Sequence, residues 1–268
     1  MNGRLTASYV IIIIILLYSL TPFTWLFVNA FNPEASITVS LPNEFTLAHF
    51  VKVFKGLSFQ WLINSVIISV ATATLTTILS VFAAYPFSRF RFPASNVILW
   101  VFMFLRSFPI STFMVPLYVF LAWLGLVDTY LGVIFALTIL NLPLSLLLIK
   151  GFYDTVPIYY EEAAWVDGHG RWRAILGVLL PISVPGVAVV WITSFFGSWG
   201  NFLIPFILLR SPQLYPLSVG LFSAWGVYGT IDFGLLSALS IIYMLPPAII
   251  YLYGRRWLLR GMAGLTLR

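Results

Sequence analysis

Long apolar runs separated by short polar segments dominate the chain. A helix needs about 20 apolar residues to cross the hydrocarbon core of a bilayer. Six runs reach that length, at residues 9–31, 61–85, 96–123, 131–150, 177–209 and 233–253. The pattern predicts an all-α, polytopic membrane protein with six transmembrane helices, which together form a single transmembrane domain over residues 1–268.

Charge is concentrated in the segment between the fourth and fifth runs. It holds half of the eight acidic residues of the chain, namely Asp154, Glu161, Glu162 and Asp167. Three basic residues lie alongside: Lys150, Arg171 and Arg173. A charged segment between two membrane-length runs predicts a loop in water, displayed by helices that stand in lipid.

The loop has its own helix signals. Pro157 suits a first helical turn and Gly168 suits the left-handed turn after a helix, so a helix is predicted over residues 157–167. Its i, i+3, i+4, i+7 spacing puts four residues on one face: Ile158, Glu161, Glu162 and Trp165. Gly168 and Gly170 then permit a reversal into a second short helix that begins at Arg171. Two interpretations stay open, a docking knob for a partner and a surface helix with solvated charges.

The basic residues predict the orientation of the chain, because Lys and Arg favour the cytoplasmic side. With the N-terminus inside, ten of the fourteen basic residues are cytoplasmic: Arg4, Arg89, Arg91, Lys150, Arg171, Arg173, Arg255, Arg256, Arg260 and Arg268. The opposite topology reverses this count. Both termini and the charged loop are therefore predicted to be cytoplasmic.

Composition excludes several kinds of chemistry. Only 8% of the residues are charged and 61% are hydrophobic, whereas soluble domains carry about 25% charged residues. The chain has no cysteine, which excludes a disulfide scaffold, an iron–sulfur cluster and a thiol nucleophile. No metal-ligand spacing is present, so no metal site is predicted. No lysine follows a glycine, so the chain lacks the phosphate loop that binds ATP.

An ion-coupled carrier or a membrane enzyme normally needs ionisable groups inside the membrane, where they are costly and are kept for function. Arg106 is the one charged residue within a predicted span, and a structural role near an interface is favoured for it. A self-sufficient carrier or channel is therefore poorly supported. A membrane enzyme such as a lipid-linked glycosyltransferase lacks paired carboxylates, because the outer acids are scattered: Glu34, Glu44, Asp128 and Asp232.

The second run is rich in small and hydroxyl residues, which let helices approach closely in lipid. A central place in the helix bundle is therefore predicted for it. Prolines lie in or at the ends of several runs, at Pro109, Pro116, Pro143, Pro181, Pro185 and Pro205. Kinked helices of this kind suit a bundle that opens and closes.

One motif in the charged loop is specific. The order is Glu162-Ala163-Ala164, three residues, Gly168, nine residues, Val178, one residue, then Leu180-Pro181. It closely resembles the permease signature of bacterial and archaeal ATP-binding cassette (ABC) importers, with valine in place of the usual isoleucine. The resemblance implies the type I ABC importer permease fold, with a cytoplasmic coupling helix between spans four and five, inside a loop at 151–176. It implies ATPase-coupling roles for Glu161, Glu162, Ala163, Ala164, Asp167, Gly168 and Pro181.

Weaker matches extend over most of the chain and resemble the shorter of the two maltose-type permeases. They include Gly125-Leu126-Val127-Asp128, Leu142-Pro143 and Tyr215-Pro216-Leu217. This resemblance implies uptake of a sugar or oligosaccharide, with Trp199, Asn201 and Tyr243 as candidates for the substrate path. Gly200-Asn201 departs from the family, which more often has asparagine followed by an acid. Importers of peptides, amino acids or polyamines remain the nearer alternative.

The resemblance also implies partners. They are a second permease subunit, two ATPase subunits and an extracytoplasmic solute-binding protein, with no nucleic acid. ATP and Mg²⁺ would be bound by the ATPases, so the chain itself is expected to bind no cofactor and to be no enzyme. The outer loop at 210–232 would meet the binding protein, and the tail at 261–268 would touch the ATPases. The expected location is the cell (inner) membrane.

Overall fold

The computed structural model describes residues 2–38, 40–226 and 231–266. Every regular element in these ranges is helical: α1 (Asn2–Ala30), α2 (Ala48–Lys55), α3 (Leu57–Arg89), α4 (Ser95–Arg106), α5 (Met114–Trp123), α6 (Tyr130–Thr155), α7 (Tyr159–Val166), α8 (Arg171–Ala174), α9 (Leu180–Ile182), α10 (Val184–Trp199), α11 (Leu203–Leu208), α12 (Leu217–Gly226) and α13 (Phe233–Thr266). A π-helical segment, Ile175–Leu179, joins α8 to α9. Tyr228 of the predicted outer loop and the last two residues of the predicted tail lie outside the described residues.

Membrane-length apolar helices confirm a multi-pass, all-helical protein. Four are long and apolar enough to cross a bilayer: Ser8–Ala30, Leu57–Arg89, Tyr130–Thr155 and Phe233–Leu258. Two further pairs of helices pass the same test but are bent, so the described residues hold four spans, or up to six if each bent pair is one span. The count of six stays a prediction.

The third predicted run, at 96–123, consists of two helices separated by a sharp bend. The segments Ser95–Arg106 and Ile110–Trp123 meet at 97°. Pro109, with φ −56° and ψ 132°, stands between them in an extended conformation, and it has no N–H to continue the helical hydrogen bonds. Arg106 therefore ends a helix at the bend and does not lie within a continuous span.

The fifth predicted run, at 177–209, is also divided. A bend of 79° separates Arg171–Ile182 from Val184–Trp199, and α11 follows as a separate helix. Pro185 explains the bend, because it cannot donate a hydrogen bond to the carbonyl four residues earlier and its ring clashes with that carbonyl. The short helix that leads into this span begins at Arg171, as predicted.

The internal contacts of the chain divide it into two compact units, so its description as one domain stays a prediction. One unit comprises the described parts of Met1–Leu62 and Gly220–Pro246. Within it, Asp232 caps α13 by accepting a hydrogen bond from the Leu235 N–H at 2.9 Å, and it pairs with Lys52 at 3.0 Å. Gly220 lets Trp61 approach so closely that an added Cβ would lie 2.2 Å from the indole.

The other unit comprises Ile63–Val219 and the described part of Pro247–Arg268. Eight of the small and hydroxyl residues of α3 are buried in it: Ser65, Ser69, Thr72, Ala73, Thr76, Thr77, Ser80 and Ala84. Two apolar clusters surround them. One contains Val81, Ile149, Tyr153 and Leu179, and the other contains Ile68, Leu121, Leu137 and Ile204. The loop that carries charge is attached to the first of these clusters.

Candidate functional site

The predicted loop helix is present as α7, and its end has the predicted geometry. Gly168 has φ +83°, in the left-handed region. The N–H of Gly168 donates to the carbonyl of Trp165, and the N–H of His169 donates to that of Ala164. This pair of bonds is the Schellman motif, which satisfies carbonyls that a helix end would leave unpaired. The glycine therefore fixes the direction in which the chain leaves α7.

The two sides of α7 have different environments. Glu161 and Ala164 face inward, with 0% and 9% of their surface exposed. Glu162, Ala163 and Asp167 are exposed to solvent. The predicted face of α7 is therefore divided by the fold: Glu161 is buried, whereas its other members, Ile158, Glu162 and Trp165, are exposed. A partner could reach Glu162, Ala163 and Asp167 directly.

A buried ion pair anchors the inner side of α7. Arg89, the last residue of α3, donates from Nε to Oε1 of Glu161 at 2.7 Å. Its Nη2 donates to the carbonyl of Val156 at 2.9 Å. The side chains are 9% and 0% exposed, respectively, and charges this well buried are kept only when they are paired. The pair fixes the start of the loop to the end of α3.

A second polar contact joins the ends of α3 and α6. Ser88 donates to Oδ1 of Asp154 at 2.7 Å, and Lys150 donates to Oδ2 of the same carboxylate at 2.6 Å. Together with the Arg89 pair, this contact holds three chain segments: the end of α3, the end of α6 and the start of α7. The loop helix is therefore tied, directly or through neighbouring residues, to the ends of two membrane-length helices.

Aromatic contacts hold the far side of the loop. The indole of Trp172 packs edge-on against Phe82, with ring centroids 5.8 Å apart. The guanidinium of Arg171 lies 5.3 Å from the ring centroid of Phe90, in the range of a cation–π contact. Pro181 of the signature is exposed in α9, just before the bend at Ser183. Both ends of the loop are thus attached to α3 or to the segment that follows it.

Two of the three predicted substrate-path residues, Trp199 and Asn201, belong to one compact unit. Trp199 is 4% exposed, and its ring stacks on Phe195 at 5.5 Å. The side-chain oxygen of Asn201 accepts a hydrogen bond from the Ile204 N–H at 3.0 Å, so it caps the start of α11. Tyr243 belongs to the other compact unit. The path assignment of these residues stays a prediction.

Asp128, in the turn between α5 and α6, binds the extended segment that follows α11. Its carboxylate accepts hydrogen bonds from the Ser211 hydroxyl and from the backbone N–H groups of Arg210 and Ser211, the last two at 2.8 and 3.0 Å. The Ser211 hydroxyl bond, followed by the backbone bonds, holds the pKa of Asp128 below its usual value. Arg210 also donates to the Tyr118 hydroxyl. The first part of the predicted outer loop is therefore held in place.

Sequence reasoning missed Arg89, because nothing in its local sequence distinguishes it from the other basic residues. The Lys150–Asp154 spacing of four was a readable signal, since residues at i and i+4 on a helix face each other. Among the described residues, no three His, Asp or Glu side chains gather closely enough to hold a metal ion. What the described residues do form at this loop is a short helix with one exposed side and one side held by a buried ion pair.

The fold and the site together are those of a membrane subunit that displays a helical loop. One chain in the crystal structure of a bacterial ABC transporter involved in the import of the acidic polysaccharide alginate has a similar fold. The TM-score is 0.83 and the sequence identity is 20%, and the match covers 94% of this chain and 95% of that chain. The importer-type permease fold that the sequence predicted is thus confirmed as a fold.

Sequence comparison gives the family. A family model described as the binding-protein-dependent transport system inner membrane component matches residues 76–263. The chain belongs to this family. One relative is the galactooligosaccharides transport system permease protein GanQ of Bacillus subtilis, 29% identical over 97% of this chain and 94% of that protein. Another is the maltose/maltodextrin transport system permease protein MalG of Vibrio vulnificus, 36% identical over 75% of this chain and 70% of that protein.

Proposed function

We propose that this chain is the transmembrane subunit of a binding-protein-dependent ABC importer and forms half of the translocation path for a sugar or oligosaccharide. The observation that carries the proposal is the loop helix α7, which exposes Glu162 and Ala163 while Glu161 on its inner side pairs with Arg89 at the end of α3. Family membership supports the importer class. The relatives named for galactooligosaccharides and for maltose support a carbohydrate cargo.

The partners follow from this role. A second permease would complete the path, and an extracytoplasmic solute-binding protein would deliver the sugar. A bacterial alginate ABC transporter with a chain of similar fold has been solved in complex with a periplasmic protein that holds an alginate pentasaccharide. Two ATPase subunits would bind ATP and Mg²⁺ and supply the energy. The chain would then bind no cofactor and perform no catalysis itself. The positive-inside rule favours cytoplasmic termini and a cytoplasmic α7 in the cell (inner) membrane.

The geometry suggests how the energy reaches the membrane. Closure of the ATPases on ATP would move the socket that holds α7. Because Arg89 and Ser88 attach the loop to α3, and Asp154 belongs to α6, the movement would carry those two helices with it. Packed elements switch between discrete arrangements and do not deform continuously, so the path would alternate between inward-facing and outward-facing states.

Other functions fit the observations less well. An ABC permease for peptides, amino acids or polyamines would use the same fold and loop, but the relatives reported above are named for carbohydrates. A self-sufficient carrier or channel would use an intramembrane charge, and the position of Arg106 at the end of α4 offers little for that role. A membrane enzyme would not account for the signature residues in the loop.

Isolation of the native complex tests the proposal. We expect this chain, extracted in mild detergent, to co-purify with a second permease and an ATPase. Reconstituted with the binding protein, the complex should take up at least one sugar of a panel of glucose, maltotriose and galactotriose, and only with ATP. Uptake without ATP by this chain alone would replace the importer by a carrier or channel. Uptake of a peptide or an amino acid, and of no sugar, would change the cargo.

Cross-linking tests the docking face of α7. The natural chain has no cysteine, so Ala163→Cys places a single thiol on the exposed side and Ala164→Cys places one on the buried side. In the assembled complex we expect a short bifunctional reagent to join Ala163→Cys to the ATPase at least about tenfold more efficiently than Ala164→Cys. Equal yields would mean that the ATPase does not contact the exposed side of α7 in preference to the buried side.

A further inference from the structure

A buried asparagine binds the first part of the predicted outer loop. Asn64 lies near the start of α3 and is 1% exposed. Its side-chain amide donates to the carbonyls of Gln213 and Tyr215, at 2.7 and 2.9 Å, and its Oδ1 accepts a hydrogen bond from the Tyr130 hydroxyl at 2.8 Å. An amide side chain has two N–H hydrogens and one carbonyl oxygen, and here each of the three is used.

Two further contacts hold the same segment in place. The N–H of Leu217 donates at 2.7 Å to the hydroxyl of Ser65, which follows Asn64 in α3. At the other end of the segment, Asp128 accepts the two backbone N–H bonds described above. The backbone of residues 210–217, the outer segment, is therefore bound at one end by the turn before α6 and at the other end by α3.

The opposite ends of the same two helices hold α7. Along α3, Asn64 and Arg89 are roughly 37 Å apart by the rise of an α-helix, and Arg89 forms the ion pair with α7. The bond from Tyr130 joins the starts of α3 and α6, and the bond from Ser88 to Asp154 joins their ends. Each of these two bonds links residues 66 positions apart, so the helices run parallel in one register. All of these residues belong to the compact unit that contains α7.

A pair of helices held in one register is suited to move as a single body. Packed elements switch between discrete arrangements and do not deform continuously, and here bonds fix the register at both ends of the pair. A load on the outer segment would therefore reach the residues that anchor α7. The side chains of Arg210 and Gln213 are exposed, so a partner can contact the outer segment while the buried amide of Asn64 keeps its bonds.

We infer that Asn64 is a positioning residue that makes the outer segment move with α3 and α6, so that a docked solute-binding protein controls ATP hydrolysis through α7. The inference rests on the proposed function and adds a regulatory residue that the sequence analysis did not select. Leucine in place of Asn64 keeps a similar volume but donates no hydrogen bond, so the carbonyls of Gln213 and Tyr215 lose their donor. The outer segment would then keep its side chains but not its fixed position.

Spin labels test the position of the outer segment. The natural chain has no cysteine, so Gln213→Cys and Thr155→Cys place one label on the outer segment and one at the end of α6, in a complex whose partner subunits lack cysteine. The two sites lie toward opposite ends of α6, which is roughly 39 Å long, a separation that double electron–electron resonance measures. We expect one narrow distance distribution, which Asn64→Leu broadens and Tyr130→Phe leaves narrow.

ATP hydrolysis tests the transmission to α7. The binding protein is loaded with the sugar that the wild-type complex takes up from the panel above. We expect Asn64→Leu to lower the maximal stimulation of hydrolysis by this protein about fivefold or more, as for typical coupling between distant sites, while hydrolysis without the binding protein stays close to that of the wild-type complex. Tyr130→Phe removes only the third bond of Asn64 and should retain most of the stimulation.

A milder variant keeps the inference testable if Asn64→Leu does not reach the membrane. Ser65→Ala removes the acceptor of the Leu217 N–H and leaves the bonds of Asn64 intact. We expect it to lower the maximal stimulation by a smaller factor than Asn64→Leu. Full stimulation in Ser65→Ala, where it is the one variant recovered, would count against the inference.

Three further outcomes overturn the inference while the proposed function stands. A narrow distance distribution in Asn64→Leu would mean that other contacts hold the outer segment. Unchanged maximal stimulation at a higher half-saturating concentration of binding protein would mean that the segment contacts that protein but does not control hydrolysis through Asn64. Equal losses in Asn64→Leu and Tyr130→Phe would assign the effect to the contact between α3 and α6. A wild-type complex that no loaded binding protein stimulates would instead contradict the proposed function itself.

Discussion

Replacement of Arg89 by methionine is expected to abolish uptake, because it leaves the Glu161 carboxylate buried without its cation. Removal of one partner from a buried ion pair typically costs about 3–5 kcal/mol, and Glu161 is fully buried here. The hydrogen bond from Arg89 to the Val156 carbonyl is lost as well. We expect the variant to show a lower melting temperature in detergent and little recovery of the ATPase in a pull-down.

A double variant separates the pair itself from the shape of the loop. Arg89→Met with Glu161→Leu removes both charges, and apolar replacements of buried ion pairs are often neutral or stabilising. We expect this variant to regain most of the thermal stability and the ATPase binding that Arg89→Met loses. Ser88→Ala serves as the neighbouring control; it loses one hydrogen bond to Asp154, which is worth about 1 kcal/mol. If Arg89→Met were as stable as Ser88→Ala, the ion pair would not anchor α7.

The parts of the fold that depend on local sequence could be predicted. Apolar length identified helices long enough to span a membrane. The small residues of the second run predicted a closely packed helix, and eight of them are buried in α3. Pro157 and Gly168 lie on either side of the loop helix. Gly168 has a positive φ, and its place after the helix was enough to predict this conformation. In each case the cause lies within a few residues of its effect, so one sequence is enough to see it.

The contacts that join distant segments could not be predicted in this way. Arg89 and Glu161 are 72 residues apart, and Asn64 and Gln213 are 149 apart, so no periodicity connects them. The bends at Pro109 and before Pro185 show a different limit. Proline is common in membrane helices, and whether it bends a helix depends on which neighbours satisfy the freed carbonyl groups.

The structure suggests why the signature combines exposed and buried positions. In the proposed role, α7 would present a surface to its partner and would also resist being pulled away from the helices to which it is attached. In α7 these tasks fall on opposite sides, with Glu162 and Ala163 outside and Glu161 and Ala164 inside. Charge on the inner side is tolerated because Arg89 neutralises it. The two adjacent glutamates are therefore expected to have different roles: Glu161 anchors the helix and Glu162 is available to the partner.

Replacement of Gly168 by aspartate is expected to abolish uptake while the subunit remains folded in the membrane. An added Cβ would meet nothing within 4 Å, so no internal clash is introduced. The left-handed backbone costs a residue with a side chain about 1–2 kcal/mol, and aspartate and asparagine tolerate it better than most residues. The main effect is therefore expected outside the subunit, where a carboxylate beside Asp167 would protrude at the turn that the ATPase approaches.

Asparagine at the same position is the matched control, because it has nearly the same shape without the charge. We expect Gly168→Asn to retain measurable uptake, and Gly168→Asp to show none at an equal amount of subunit in the membrane. ATP hydrolysis stimulated by the loaded binding protein should fall in parallel with uptake, because the coupling contact itself is affected. Near-normal uptake by Gly168→Asp would count against a coupling role for α7. Equal loss of uptake in both variants would instead mean that any side chain at this turn blocks uptake. The two variants differ in charge and have nearly the same shape, so charge could not be the cause.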